Sequence, residues 1–214
     1  MRLTIATLAL LASVGAAVAQ DRFAILQPDA MNAEQKKLLE TLVSGPRAAN
    51  YGSDPVTRVL KSGPFNAWMR SPELGMRLQA VGEQIRFKSS IPKHLNEFAI
   101  LITAREWTSQ YEWHAHHSLA MKAGLNPEVA ADLAAGKRPS NMKDDEAAVY
   151  DFCIQLHRNK KVDDAAFARA KALFGEQGVV DLIGVSGYYT AVRMTLNVAQ
   201  VPVPDGSRPL KPLD

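Results

Sequence analysis

The chain has 214 residues, with 25 Lys and Arg against 22 Asp and Glu and a net charge of +3. Basic pairs such as Lys36-Lys37 and Lys160-Lys161 stand apart, with no basic stripe or interleaved aromatics of the kind that tracks a phosphate backbone, so nucleic acid is excluded as an expected partner. Cys153 is the only cysteine and cannot close a disulfide within the chain, so stability has to come from packing.

Arg2, the apolar run from Leu3 to about Val18 and the ending Ala17-Val18-Ala19 have the layout of a secretory signal peptide over residues 1–19. The run is shorter than the roughly 18 or more residues of a confident membrane span, and no stop-transfer segment follows it. The expectation is cleavage after Ala19 and export, to the periplasm or beyond the cell, with no membrane attachment afterwards. Gln20 rather than a cysteine would begin the mature chain, which leaves no site for a lipoprotein anchor. Loss of residues 1–19 removes one Arg and no acid, leaving 195 residues with a net charge of +2. That length suits one domain, expected over residues 20–200.

Helical punctuation recurs from Met31 to Ala199, and no stretch shows sustained period-two alternation between turns, so the expected fold is an all-α, single-domain helical bundle. Asn32 caps a helix over 33–43 that ends near Gly45, and Ser71-Pro72 opens one running to about Arg86. Ser90-Ile91-Pro92 precedes a helix over about 93–107 with Leu95, Phe98, Ala99 and Ile102 on one face. Thr108 or Ser109 caps the next, which stops at Gly124, so two long helices meet at a tight corner. Asn126-Pro127 starts a short helix ending at Gly136, Asp144 or Asp145 starts one over 146–158, and Asp163 starts one over 164–173. Cys153 falls in an apolar stripe with Val149, Phe152 and Leu156, the pattern of a buried core thiol rather than a nucleophile. The segment 176–199 is apolar on more than one face and carries Gly178, Gly184 and Gly187, which predicts a central helix packed on several sides. The Pro-rich tail 201–214 cannot continue it and is expected to lie extended over the surface or over a neighbouring subunit.

Chemistry concentrates between Glu97 and Gly124. Ser109, Glu112, Trp113, His116 and Ala120 share one helix face, and Glu112 and His116 are four apart and in reach of each other. A carboxylate beside an imidazole orients it and raises its pKa, as acid–base catalysis requires. The corner could return Glu97, from the preceding helix, to the same face. Taken alone, Glu112 and His116 also fit an exposed pair worth only a few tenths of a kcal/mol.

The order Glu97, Ser109, Glu112, His116, Ala120 and Gly124-Leu125 resembles the signature of the carboxymuconolactone decarboxylase and alkylhydroperoxidase D-like superfamily. Peroxidase-type members carry CxxCxxxH, whereas decarboxylase-type members are similar to this chain in having Glu-Trp-x-x-His, here Glu112-Trp113-His114-Ala115-His116. Gly63-Pro64-Phe65, Arg86-Phe87 ahead of Pro92, Tyr111 and the segment FGEQGVVDLIGVSGYY extend the likeness over most of residues 55–205. The resemblance implies an all-α homo-oligomer with its active site between helices near a subunit interface. Ser109 and Glu112 stand where the redox cysteines of the peroxidases would be. Peroxide reduction by that motif needs a low-pKa thiolate and a resolving thiol, which these residues cannot supply.

On this reading the chain is a cofactor-independent lyase acting on a small lactone or unsaturated carboxylic acid. His116 is the general acid, Glu112 orients it, and Glu97 holds a substrate or water proton. Tyr111 and Trp113 form an apolar wall, and Arg86 binds a substrate carboxylate, its alternative being an exposed helix-end arginine. Tyr188 and Tyr189 are weaker pocket candidates. No metal is expected, because His114 and His117 fall on a different helix face from Glu112 and His116 and no three of these ligands converge. His94 and His157 are expected at the surface. The alternative of a different class is a non-catalytic exported binding protein for a small ligand.

Overall fold

The computed structural model describes residues 22–204 and 206–213, so the expected signal peptide over 1–19 lies outside the described residues. Nine α-helices follow in order among them: α1 (Ala33–Ser44), α2 (Pro55–Lys61), α3 (Phe65–Trp68), α4 (Pro72–Phe87), α5 (Lys93–Glu106), α6 (Gln110–Ala123), α7 (Pro127–Ala134), α8 (Asp144–Asn159) and α9 (Asp164–Ala199). No strand occurs among the described residues, and no helix there is long and apolar enough to cross a membrane.

Local chemistry sets most of these boundaries. Asn32 accepts from Gln35 N while the Gln35 side chain returns to Asn32 N, a reciprocal cap that satisfies two otherwise unpaired donors. Asn126 and Asp163 cap α7 and α9 through Glu128 N and Ala166 N. Helix α8 departs from expectation: it begins at Asp144, after Lys143, and Glu146 reaches back to the Lys143 N–H in place of an aspartate cap. Neither Ser71 nor Ser109 makes a side-chain cap bond. Ser90 does not cap α5 either. Its N–H and hydroxyl donate to Asp181 of α9, which ties the start of α5 to that helix. Helices α2 and α3 were not expected from the pattern, since each is too short to show a helical period.

Two apolar clusters divide the bundle. Met31, Leu38, Leu42, Val59, Leu60 and Met69 join α1, α2 and α3 in a small layer against α4. The main core surrounds α5, in which every residue from Leu95 to Arg105 is buried and which packs against α6, α7, α8 and α9. Helix α5, not 176–199, is therefore the central helix. The α9 element breaks at Gly175, whose φ of 68° and ψ of 178° are available to glycine at low cost, so the two expected helices exist but abut without a loop. Beyond the break, Val185, Tyr189, Val192 and Leu196 face the core. The opposite face leaves Val180, Ile183, Met194 and Val198 exposed, with Val180 at 64%. The apolarity that predicted neighbours on several sides thus leaves that side exposed among the described residues.

The tail folds over its own chain. Gln110 receives Leu210 N and donates to Leu210 O, and Leu210 is buried near the α5–α6 corner. The corner itself occupies only residues 107–109. Thr108 adopts a φ of 46° there, and Ser109 N donates to Ala104 O.

Candidate active site

The corner returns α6 antiparallel to α5 and brings Glu97 and His116, nineteen residues apart, into direct contact. His116 Nδ1 lies 2.7 Å from Glu97 Oε2, and His116 Nε2 lies 3.2 Å from Glu112 Oε2. All three are buried, with relative exposures of 6% for Glu97, 4% for Glu112 and 5% for His116. This is not the exposed helix pair that Glu112 and His116 could have formed alone.

The two carboxylates hold the ring differently. Glu97 makes a hydrogen bond to Nδ1, whereas Glu112 sits at ion-pair distance with its Oε2 out of line for one. The Nε2 position is therefore the less firmly held of the two. Glu112 and His116 line a cavity of about 390 Å³, and Glu97 does not. A volume near 390 Å³ suits a small molecule. The arrangement makes Glu97 the residue that orients the imidazole, leaving Glu112 and the His116 ring as the groups at the cavity wall.

Burial works against an imidazolium at His116, but the neighbouring Glu97 and Glu112 carboxylates outweigh it and raise its pKa above the ordinary histidine value. For Glu112 burial acts upward, and the His116 contact with the charges of His116, Arg193 and Arg86 carries it below the ordinary value. Arg193 is fully buried, with its guanidinium donating to the carbonyls of Tyr189 and Ile100. Burial lowers its pKa to about 10, so it remains a cation at neutral pH. With both carboxylates ionised, imidazolium and guanidinium bring this cluster to neutrality. Tyr189 stands between them, edge-on to His116 at 5.1 Å and beneath Arg193 at 5.5 Å. Burial pushes its phenol well above the ordinary range, so it remains neutral.

Arg86 lines the cavity, partly buried, with Nε lacking a hydrogen-bond partner, so the exposed helix-end alternative does not hold. Tyr111 also lines it, and its hydroxyl accepts from Gly63 N at 2.7 Å. Trp113 does not. It is buried in the core and stacks on His117 at 5.9 Å, because its position one residue past Glu112 turns it off the cavity-facing edge of α6. Tyr188 and Tyr189 both reach the cavity.

The chain pattern gave no pointer to Arg47 and Tyr51, which arrive from the segment between α1 and α2, or to Arg58 and Lys122 at the rim. Arg193 had a visible signal in the charge it places inside an otherwise apolar segment. No group of three His, Cys, Asp or Glu side chains suited to a metal ion occurs among the described residues. His94 is partly buried, 3.8 Å from Asp145. His157 is not a freely exposed surface histidine: it is partly buried against α5, with Nε2 at 2.9 Å from the Thr103 hydroxyl. Cys153 is buried far from acid–base use, its thiol pushed up to about 12 by burial.

No protein-family model matches the chain, and no curated protein matches it.

Proposed function

We propose that the chain is a cofactor-independent lyase that decarboxylates or isomerises a small lactone or unsaturated carboxylic acid by proton transfer. One observation carries the reading: a buried imidazole fixed through Nδ1 by Glu97 presents its Nε2 side, with Glu112, to a cavity that Arg86 also lines. An imidazole flanked by two carboxylates stays protonated to higher pH than a free one, which suits a general acid.

In a decarboxylation the bond from the ring carbon to the departing carboxylate breaks, and the electron pair moves into the conjugated lactone as a dienolate. The proton on His116 Nε2 then passes to carbon, carbon dioxide leaves, and the imidazole regains a proton from water, so one proton is consumed per turnover. Arg86 would hold a carboxylate, and the Arg193 guanidinium would offset part of the carboxylate charge left when His116 gives up its proton, with Tyr189 remaining neutral. For isomerisation the same imidazole would return a proton to a different carbon. Glu112, whose Oε2 has no hydrogen-bond donor, is the acceptor at hand for the first proton.

The likeness to carboxymuconolactone decarboxylases, carried by Glu97, Glu112-Trp113 and His116, supports the same chemistry. We also propose a homo-oligomer, supported by the exposed α9 face, and export after loss of residues 1–19, supported by the leader-like sequence. The unpaired Nε of Arg86 would also serve a binding protein that turns nothing over. Assays of mature protein on a panel of muconolactones and related unsaturated acids, beside thermal shifts with the same compounds, separate these readings. Turnover that His116→Gln abolishes is the expected result, and shifts without turnover overturn the lyase.

A further inference from the structure

The cavity carries more positive charge than a single carboxylate needs. Four cationic side chains, Arg47, Arg58, Arg86 and Lys122, line it against one acid, Glu112. Two of them lie inside. Arg47 is only 4% exposed, yet its Nε and Nη1 are buried without a hydrogen-bond partner, as is Nε of Arg86. The Tyr51 hydroxyl, on the same wall, is also buried and unpaired. Buried donors left without acceptors are costly, and a charged guanidinium more so.

The placement of Arg47 is unusual in two further respects. Its guanidinium lies 5.8 Å from the Phe87 ring centre, and that of Arg86 lies 5.3 Å from the same ring, so two like charges gather on one aromatic side chain. No carboxylate among the described residues forms an ion pair with either. In addition, α4 carries glycine at the point of approach: a Cβ at Gly82 would collide with Arg47 Nη2 and the Tyr188 hydroxyl. The helix surface is hollowed where the guanidinium and phenol meet.

Like charges held together in a cleft, with donors unused and no carboxylate of the described residues in ion-pair contact with either, make a site for an anion. We propose that the cavity takes a doubly anionic small molecule, with Arg86 holding the anionic group nearest His116 and Arg47, supplied by the α1–α2 segment, holding the second. The inference rests on the proposed function only in taking Arg86 as the partner of the group next to His116. Arg47 is then a specificity residue: it selects for the second charge and touches none of the atoms that exchange protons.

Calorimetric titration of the mature chain with glutarate, 3-phosphonopropionate and butyrate tests this without turnover. Both dianions should bind at least about tenfold more tightly than butyrate, the scale of one or two hydrogen bonds to a charged group. A larger gain for glutarate assigns the second group as a carboxylate, and a larger gain for the phosphonate assigns it as a phosphate-like anion. Arg47→Gln should bring the dianions down to butyrate affinity and leave butyrate within about twofold. Gly82→Ala, which displaces the guanidinium without removing its charge, should reduce the preference as well. His116→Gln should retain it, so loss of lyase activity and loss of this subsite are read separately. Equal binding of glutarate and butyrate by the unaltered chain overturns the proposal, as does a preference that survives Arg47→Gln.

Discussion

Glu97 Oε2 and His116 Nδ1 lie 2.7 Å apart in the interior, joining the middle of α5 to the middle of α6. Their separation along the chain is closed by a three-residue corner, so the contact depends on that corner. Nδ1 is held by Glu97, which fixes the ring plane and leaves Nε2 toward Glu112. Replacing Glu97 by Ala leaves the imidazole without its acceptor and, as for other broken buried pairs, should destabilise the fold by about 3–5 kcal/mol. Glu97→Gln keeps an acceptor for Nδ1 and removes the charge, so it should cost less. Urea unfolding of the two variants checks the order, and equal losses would show that the charge, not the hydrogen bond, holds the pair.

The proposed catalysis by His116 gives a sharper expectation. His116→Gln should lower the rate on a true substrate by about 10²–10⁴-fold, the usual contribution of positioned proton transfer, with the circular dichroism spectrum unchanged. Full activity in that variant would remove the mechanism. Cys153→Ser should alter stability alone, because the thiol is buried against Ser186 at 3.7 Å and lines no part of the cavity.

Glu112 is one of the two carboxylates that raise the His116 pKa, so the proposed mechanism makes it a determinant of the pH dependence. In the proposed mechanism the acid is the imidazolium, so activity should be lost as pH rises through the His116 pKa, which the two carboxylates raise. Glu112→Gln withdraws one of those charges and lowers that pKa. The basic limb of the pH–rate profile should therefore move to lower pH, by an amount measurable from kcat against pH. A limb that stays in place would mean that another group sets it.

The longer helices and the contact between Glu112 and His116 were legible because both follow from spacing along one helix. The tight corner was legible too, from Thr108-Ser109 between two periodic segments. What spacing cannot express is which of two carboxylates meets which ring nitrogen. Glu97 was expected to hold a substrate or water proton, and it meets Nδ1 instead, because antiparallel return of α6 sets the ring edge against it. Trp113 shows the same limit: one residue past Glu112 on the helix, it turns into the core. Arg47 and Tyr51 were invisible because they sit in a loop with no period, and only packing of α1 onto α4 carries them to the cavity.

The exposed α9 stripe predicts assembly. Val180, Ile183, Gly187, Met194 and Val198 recur at three-, four- and seven-residue steps, and a Cβ at Gly187 would meet nothing, which leaves room for a close helix partner. Light scattering of the mature chain at micromolar concentration should give a mass above the monomer. Val180→Lys with Ile183→Lys should return it to the monomer without loss of helicity. A monomeric mass for the unaltered chain would sink this idea. Because the tail is bound to Gln110 of its own chain, deleting 201–214 should uncover the Leu210 site and lower the Tm more than it changes the mass.

His157 sets an acid limit on stability distinct from that of the site. Burial, reinforced by the nearby Arg193 charge, lowers its pKa from 6.5 to about 4. The Thr103 hydroxyl already donates to Ala99 O, so in the assigned tautomer His157 donates from Nε2 to Thr103 Oγ1. Between those two pKa values the unfolded chain binds a proton that the folded chain refuses, so stability falls as pH drops from 6.5 toward 4. Glu112 acts lower: its folded pKa is depressed, so its contribution is present above the ordinary 4.5 and is lost as pH falls through the folded value. The upper part of the acid window therefore belongs to His157. In His157→Gln the amide can still donate to Thr103 but cannot titrate, so its Tm should decline less than that of the unaltered chain as pH falls from 6.5 toward 5. Thermal melts of both chains across that range decide the matter, and parallel Tm curves would show that His157 is not the group responsible.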